Sequence, residues 1–404
     1  MKTIPKTLQR DEFMIRPGSP WSRIPFLGAS LFVVGFLIVA LLGRGEESSH
    51  ILPYSLLVAL GYWTTLGLGA LFFVLIHHSA KAGWSTTLRR TAENLATPLP
   101  VMAIIAIPVL WMAMKGHAYH WVDPHGDAIL EGKVGYLNTG FFWARLVLYL
   151  VVWTTIVWLF RSFSVRQDES GDHSLSARMN KYSYPAVIAL GLSTHFFAVD
   201  WFMSLDAHWY STIYGVYFFA ASVVAAFSML ALLAVLMRRS GAVREDIINV
   251  EHLHDIGKLA FAFTVFWTYI AFSQYFIIWY ANIPEETLFY QKRWVGSWQG
   301  WSVFLVLGHF VIPFFFLMSR HIKRNPITLA IGAGWLLFVH YVDMYWNIMP
   351  NVHTDGAHFG PLDVGAWLLI GGVYLVVFGL AMNHDAVVPL KDPRLPESLA
   401  YENF

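Results

Sequence analysis

The sequence contains no cysteine. It can therefore form no disulfide, hold no iron–sulfur cluster through thiolates and attach no haem covalently in the c-type manner. Any redox centre working with this chain is ligated by histidine, bound noncovalently or carried by a partner. Charge is also scarce: Asp, Glu, Lys and Arg make up 13% of the 404 residues, while 56% are hydrophobic. A chain this apolar does not close a soluble globule of that length, so an all-α, polytopic membrane protein is expected. The net charge of +1 supplies no basic surface for nucleic acid, which is excluded as a partner.

What the sequence does have is long apolar runs. Stretches of roughly 17 to 25 residues, enough to cross a hydrocarbon core of about 30 Å, occur ten times. They cover residues 24–42, 54–76, 98–114, 139–160, 184–203, 213–237, 259–280, 301–318, 327–346 and 364–382. The third holds Pro98, Pro100 and Pro108 and is expected to be kinked, since membrane helices tolerate proline.

The basic residues test this partition. Of 27 Lys and Arg residues, 21 fall on the side of the two chain ends. Five (Arg44, Lys115, Lys133, Lys292 and Arg293) fall on the other side, and Arg145 lies inside the fourth run. By the positive-inside rule the segment 1–23 and the tail 383–404 are expected to be cytoplasmic. The first run follows a polar, basic segment without a small-residue cleavage site, so it is expected to be retained. The whole chain, 1–404, is read as one integral membrane domain, with a polar, extended tail.

Polar residues inside apolar runs are functional candidates because burying them is expensive. At a rise of about 1.5 Å per residue, Arg145 lies roughly 9 Å below the outer end of its run, and Asp200 and Asp343 about 5 Å below theirs. His195 and His340 lie one to two turns deeper on the helices of Asp200 and Asp343. His309 lies about 12 Å down the eighth run, and Gln274 is in the outer half of the seventh. A buried arginine needs a carboxylate, so Asp200 or Asp343 is the expected partner of Arg145. His340 and Asp343, three residues apart, share a helix face, whereas His195 and Asp200 do not. Runs five and nine both read His, then Asp followed by aromatics, then an outer His. They lie four runs apart in the same orientation, which suggests two related four-helix bundles, runs two to five and six to nine.

Three segments, THFFAVDWFMSLDAHWYSTIYG (194–215), FWTYIAFSQYFIIWYANIPEE (266–286) and HYVDMYWNIMP (340–350), together with the ten runs, resemble the polysulfide-reductase-type (NrfD-like) integral membrane subunits. The resemblance spans essentially the whole chain. It is greatest to the shorter of the two such subunits in alternative complex III, the bacterial quinol:electron-acceptor oxidoreductase. It implies a subunit that binds no metal or haem of its own, sits among lipids and acts in quinol oxidation, proton translocation or both. Its implied partners are a second, longer subunit of the same type, an iron–sulfur subunit and cytochrome c subunits, which carry the iron–sulfur clusters and haem c.

Quinol oxidation releases two electrons and two protons, and His195, His340, Asp200 and Asp343 are candidate proton acceptors. A proton path would continue toward the basic side through His77, His78 and Glu93, with Tyr62, Thr64, Thr65, Thr268, Tyr269 and Ser273 at middle depth. Asp246, Glu251, His252, His254 and Asp255 read as a solvated loop or a partner contact. Two other classes are weighed: a b-type haem on His195 and His309, and a transporter holding an anionic substrate on Arg145.

Overall fold

The computed structural model describes residues 9–402. Lys2 and Lys6, counted above with the N-terminal segment, lie outside them. Among the described residues, ten helices are long and apolar enough to cross a membrane: α1 (Trp21–Leu42), α2 (Ser48–Ser79), α3 (Thr86–Lys115), α4 (Thr139–Ser170), α5 (Ser174–Asp206), α6 (Tyr214–Arg239), α7 (Val250–Ala281), α8 (Trp298–Met318), α9 (Pro326–Asn351) and α10 (Pro361–His384). Each contains one expected run, and several continue past it because capped polar residues prolong the helix. Asn138 caps α4 by accepting from the Phe141 amide at 2.8 Å, and the left-handed Gly171 (φ 71°) ends it. Asn249 starts α7 by accepting from the amides of Glu251 and His252, while its own amide donates to the His252 ring.

The third helix is interrupted as expected, but at its start. Thr86–Ala96 and Leu99–Lys115 are separate helical pieces meeting at Thr97 and Pro98, with Pro108 inside the second. The first piece is polar yet wholly buried.

Helices α2 to α5 close into one four-helix bundle, each packing on the next and α5 returning to α2; α6 to α9 repeat the arrangement. The bundles join where α6 packs on α2 and α5, and where α9 packs on α2. Helices α2 and α6 are buried along most of their length, and they approach so closely that a Cβ on Gly69 would lie 2.1 Å from the Ser222 carbonyl oxygen. Small residues let membrane helices gain dispersion contact that larger ones would block. Outward-facing Phe26, Leu41, Trp158, Ile188 and Phe315 are exposed, the surface of a polytopic membrane protein.

Helix α1 packs along its length on α10, and at its start Trp21 Nε1 donates to the Ser240 hydroxyl just after α6 at 2.7 Å. A Cβ on Gly35 would meet the Leu369 amide nitrogen at 2.4 Å, and one on Gly28 the Gly372 carbonyl at 2.7 Å. Gly35→Val is expected to separate this pair, costing about 1–3 kcal/mol from overpacking. Thermal unfolding in detergent and protease cleavage before residue 46 would report it; an unchanged midpoint with no new cleavage would refute the close-contact account.

Two expectations about the basic side are corrected. The tail is not free and extended: Val387, Val388, Asp392, Leu395, Ser398 and Leu399 are buried, and Leu395–Leu399 is a short helix. It crosses the polar segment of α3, with Arg89 paired to Asp392 at 2.6 Å, and reaches the start of α7. There His252 lies 3.0 Å from the Ser398 hydroxyl, and Tyr401 donates to Asp255. The charged stretch around His252 and Asp255 is therefore a docking surface for the chain's own tail rather than a solvated loop.

Candidate functional site

Asp200 stands in the last turn of the regular part of α5, and α4 runs beside it. On α4, Arg145 and Tyr149 are four residues apart and so share a face. Arg145 Nε donates to Asp200 Oδ2 at 2.8 Å, Tyr149 Oη donates to the same oxygen, and Tyr136 Oη donates to Oδ1 at 2.8 Å. Arg145 Nη1 also donates to the Tyr136 carbonyl at 3.0 Å, and the guanidinium lies over the rings of Tyr136 (3.9 Å) and Phe141 (4.3 Å). The expected partner of Arg145 is thus Asp200 and not Asp343. Both carboxylate oxygens are engaged and both residues are buried, Arg145 Nη2 alone of the guanidinium nitrogens being left without a hydrogen-bond partner, and Trp153 stacks on Tyr149 beside the pair. Arg145 thus already has Asp200 as its counter-ion, whereas the transporter reading needs that cation free.

His195 does not join this pair. It lies against the α6 backbone, where a Cβ on Gly215 would come within 2.2 Å of its Nδ1, and is only half-buried. It makes no hydrogen bond among the described residues.

The second bundle repeats the plan with different chemistry. Asp343 on α9 corresponds to Asp200 on α5, and His309 on α8 corresponds to Arg145 on α4. Asp343 Oδ1 accepts from Tyr217 Oη of α6 and from Asn347 Nδ2 at 3.0 Å; Asn347 lies one turn along α9. Asp343 Oδ2 has no partner within hydrogen-bond geometry; the indole of Trp267, whose Nε1 is likewise unpaired, is a neighbouring donor to this carboxylate, and His309 Nδ1 lies 4.0 Å from Oδ2. Both residues are fully buried.

The backbone at His309 has a local cause. Pro313 has no N–H to give the carbonyl four residues back and clashes with it, so the helix widens into a π-turn over Leu307–Val311. The Ile312 amide then bonds to the Leu307 carbonyl, and the released Gly308 carbonyl accepts from Trp335 Nε1 at 2.7 Å. The His309 ring stacks on Trp267, with centroids 3.7 Å apart, and neither ring nitrogen has a hydrogen-bond partner.

His340, one turn deeper on α9, faces the first bundle. Its Nε2 lies 2.8 Å from Thr65 Oγ1 of α2. That hydroxyl lies 2.8 Å and 2.9 Å from the carbonyls of Gly61 and Tyr62, so its one proton goes to the backbone and the histidine donates. His340 Nδ1 is left as a buried acceptor without a partner, as is the neighbouring Thr64 hydroxyl. Among the described residues, then, Asp343, His309 and His340 are ionisable groups buried between the second bundle and α2 with hydrogen-bonding atoms left open, as is the hydroxyl of Thr64 on α2. Such groups are uncommon because each costs free energy, so they point to a role other than stability.

The remaining candidates sit elsewhere. Gln274 donates to Tyr290 Oη at 3.2 Å and accepts from Ser211, fastening the connection after α7. Glu93 is buried in the polar first piece of α3, beside the basic face. Arg90 donates to Glu93 at 3.0 Å and to Asp168 at 2.9 Å, while Arg161 donates to Asp385 at 2.8 Å and to Asn94. Glu93 Oε1 has no partner. Tyr269, proposed as a middle-depth link, faces outward and is 64% exposed. Thr268 bonds back to the Thr264 carbonyl at 2.9 Å. Of the two histidines weighed as haem ligands, His195 rests on Gly215 of α6 and His309 stacks on Trp267 of α7.

The residues that sequence reasoning missed are mostly tyrosines. Tyr149 and Asn347 were readable, each four residues along the helix from a named charge. Tyr217 and Trp267 come from helices that sequence alone does not bring near Asp343. Comparison with family models and with curated proteins gave no match.

Proposed function

We propose that this chain is a membrane subunit of a respiratory quinol:electron-acceptor oxidoreductase of the alternative complex III type, and that its part in the complex is to move protons. The observation supporting the proton role is the contrast between the two bundles. Where the first has an arginine paired with a carboxylate whose two oxygens are both bonded, with only Arg145 Nη2 open, the second has a histidine with both ring nitrogens open and a carboxylate with one oxygen open. Arginine keeps its proton under all ordinary conditions, so Arg145 and Asp200 form a fixed pair. Histidine and aspartate both exchange protons, and the proton that neutralises Asp343 is interchangeable with one that charges His309.

Quinol oxidation in this chain would need a slot of about 300 Å³ or more, with a free acceptor inside. At the first bundle both Asp200 oxygens are taken. A cavity of about 250 Å³ near the end of α5 is lined by Lys133, Tyr136, Val199 and Met203, without Asp200 or His195. These residues do not fit the chemistry, so quinol oxidation is assigned to the longer related subunit.

In the proton-moving role, Asp343 takes up or releases a proton at the outer side and His309 exchanges with it. The 4.0 Å between them exceeds a hydrogen bond, so transfer requires a small ring or helix movement, for which the π-turn supplies slack. His340 and Thr65 then extend the path to α2. The basic-residue count supports an orientation with both termini cytoplasmic, and the resemblance to the bacterial subunits supports an inner-membrane location. The iron–sulfur clusters and haem c belong to partner subunits.

Membership is tested by purifying the tagged chain from its own cells under mild detergent. The expected result is co-purification with a longer membrane subunit of the same type, an iron–sulfur protein and c-type cytochromes, with quinol-dependent haem reduction. Isolation without any redox-active partner, in a preparation that retains wild-type growth, would contradict it.

A further inference from the structure

A second polar cavity, of about 290 Å³, opens on the basic face where α2 ends and α5 begins, roofed by the tail. Its lining includes His78, Lys81, Arg89, Asn180, Asp392 and Arg394. Asp392 is already neutralised by Arg89. Lys81 is exposed and Arg394 half-buried, and neither pairs with a carboxylate among the described residues. The cavity therefore has two cations in excess of its carboxylate.

Two buried donors without partners also belong to this lining. His78 is 5% exposed and its Nε2 has no hydrogen-bond partner; Arg89 is 2% exposed and its Nε has none. Buried nitrogens of this kind ordinarily find an acceptor, and the residues that carry these two line the electropositive cavity, so a small side-chain shift would bring them to a ligand there. A tetrahedral anion with several oxygens meets spread-out cations and neutral donors together, as a single carboxylate does not.

The rim indicates how that anion is presented. Asn180 lines the cavity, and Tyr184, Ile188 and Leu192 follow it at four-residue intervals on the same face of α5. All three are exposed, at 53%, 65% and 57%. This apolar stripe climbs from the mouth of the cavity along the membrane-facing side, the course of an acyl chain whose headgroup sits at the cavity. We infer that the cavity binds a phosphate group, delivered by an anionic phospholipid whose chain lies along Tyr184, Ile188 and Leu192. The inference does not depend on the proposed proton role, and its readout is binding.

The test uses the full-length chain, delipidated in mild detergent and titrated with dioleoyl-phosphatidylglycerol or inorganic phosphate, with bound species counted by native mass spectrometry. One phosphatidylglycerol per chain is expected, weakened about tenfold or more in the Lys81→Gln/Arg394→Gln double variant. Ile188→Asn is expected to weaken the lipid and leave phosphate unaffected. Unchanged thermal melting of these variants, whose altered side chains are exposed or half-buried, separates lost binding from lost folding. Phosphate binding that the double variant abolishes, with no lipid retained, overturns the lipid as the source and keeps the phosphate site. Lipid and phosphate binding that are both absent, or both indifferent to the double variant, overturn the inference.

Discussion

Asp343→Asn is expected to reduce proton translocation by the intact complex, reconstituted in vesicles, by about 100-fold or more while leaving assembly in place. Asparagine has nearly the same shape as aspartate and can still accept from Tyr217 and face Asn347, so the packing of α6 against α9 survives. It also leaves no buried charge uncompensated, because the basic group recorded beside Asp343 is a histidine, which can remain neutral. What asparagine cannot do is take up and release a proton. His309→Gln should have the same effect, since it removes the other exchangeable site and preserves a hydrogen-bonding side chain. His195→Ala should have little, because His195 rests on Gly215 away from both carboxylates. A pH-sensitive dye inside the vesicles reads all three; wild-type proton movement in Asp343→Asn would sink the assignment.

Arg145→Ala is expected to damage the fold rather than the chemistry. It leaves Asp200 buried with only Tyr136 and Tyr149 as donors, and breaking a buried ion pair by removing one partner costs about 3–5 kcal/mol. Asp200→Ala should cost a similar amount, for it strands a guanidinium between aromatic rings. The double replacement should cost clearly less than the sum, since it removes both charges together. Arg145→Lys should not restore stability. One ammonium cannot reproduce the pair of donors that reach Asp200 and the Tyr136 carbonyl from opposite parts of the guanidinium. Thermal unfolding of the purified chain measures this cycle, and single variants within about 1 kcal/mol of wild type would contradict the fixed-pair reading. The two bundles are thus expected to fail differently, the first by unfolding and the second by losing transport.

The ten helices were legible because each must supply an unbroken apolar length, and the alternation of Lys and Arg checked their number independently. The pairing into bundles was legible from one repeated pattern, His then Asp on α5 and α9. Arg145 was legible as a charge that had to be paired, although sequence left Asp200 and Asp343 equally available, because which helices become neighbours is set by packing over the whole domain. His195 was misleading for the same reason: its spacing from Asp200 put it on another face, and only the approach of α6 at Gly215 explains where it points. The buried segment Thr86–Ala96 was hidden for a different reason. Its Arg89 and Arg90 count with a connection on the basic side, and they are buried because Asp168 and Asp392, far apart in sequence, converge to pair with them, as Asp385 does with the neighbouring Arg161. The docked tail was hidden likewise, its polarity being satisfied by the start of α7 rather than by water.

The central claim is that Asp343 and His309 form an exchangeable proton site while Asp200 and Arg145 do not. Infrared difference spectroscopy of the purified chain across a pH titration tests it most directly, since a protonated carboxyl gives a separate C=O band. The account predicts a titrating band that disappears in Asp343→Asn, shifts in His309→Gln and is unaffected by His195→Ala. A titrating band that survives Asp343→Asn and vanishes in Asp200→Asn would contradict it.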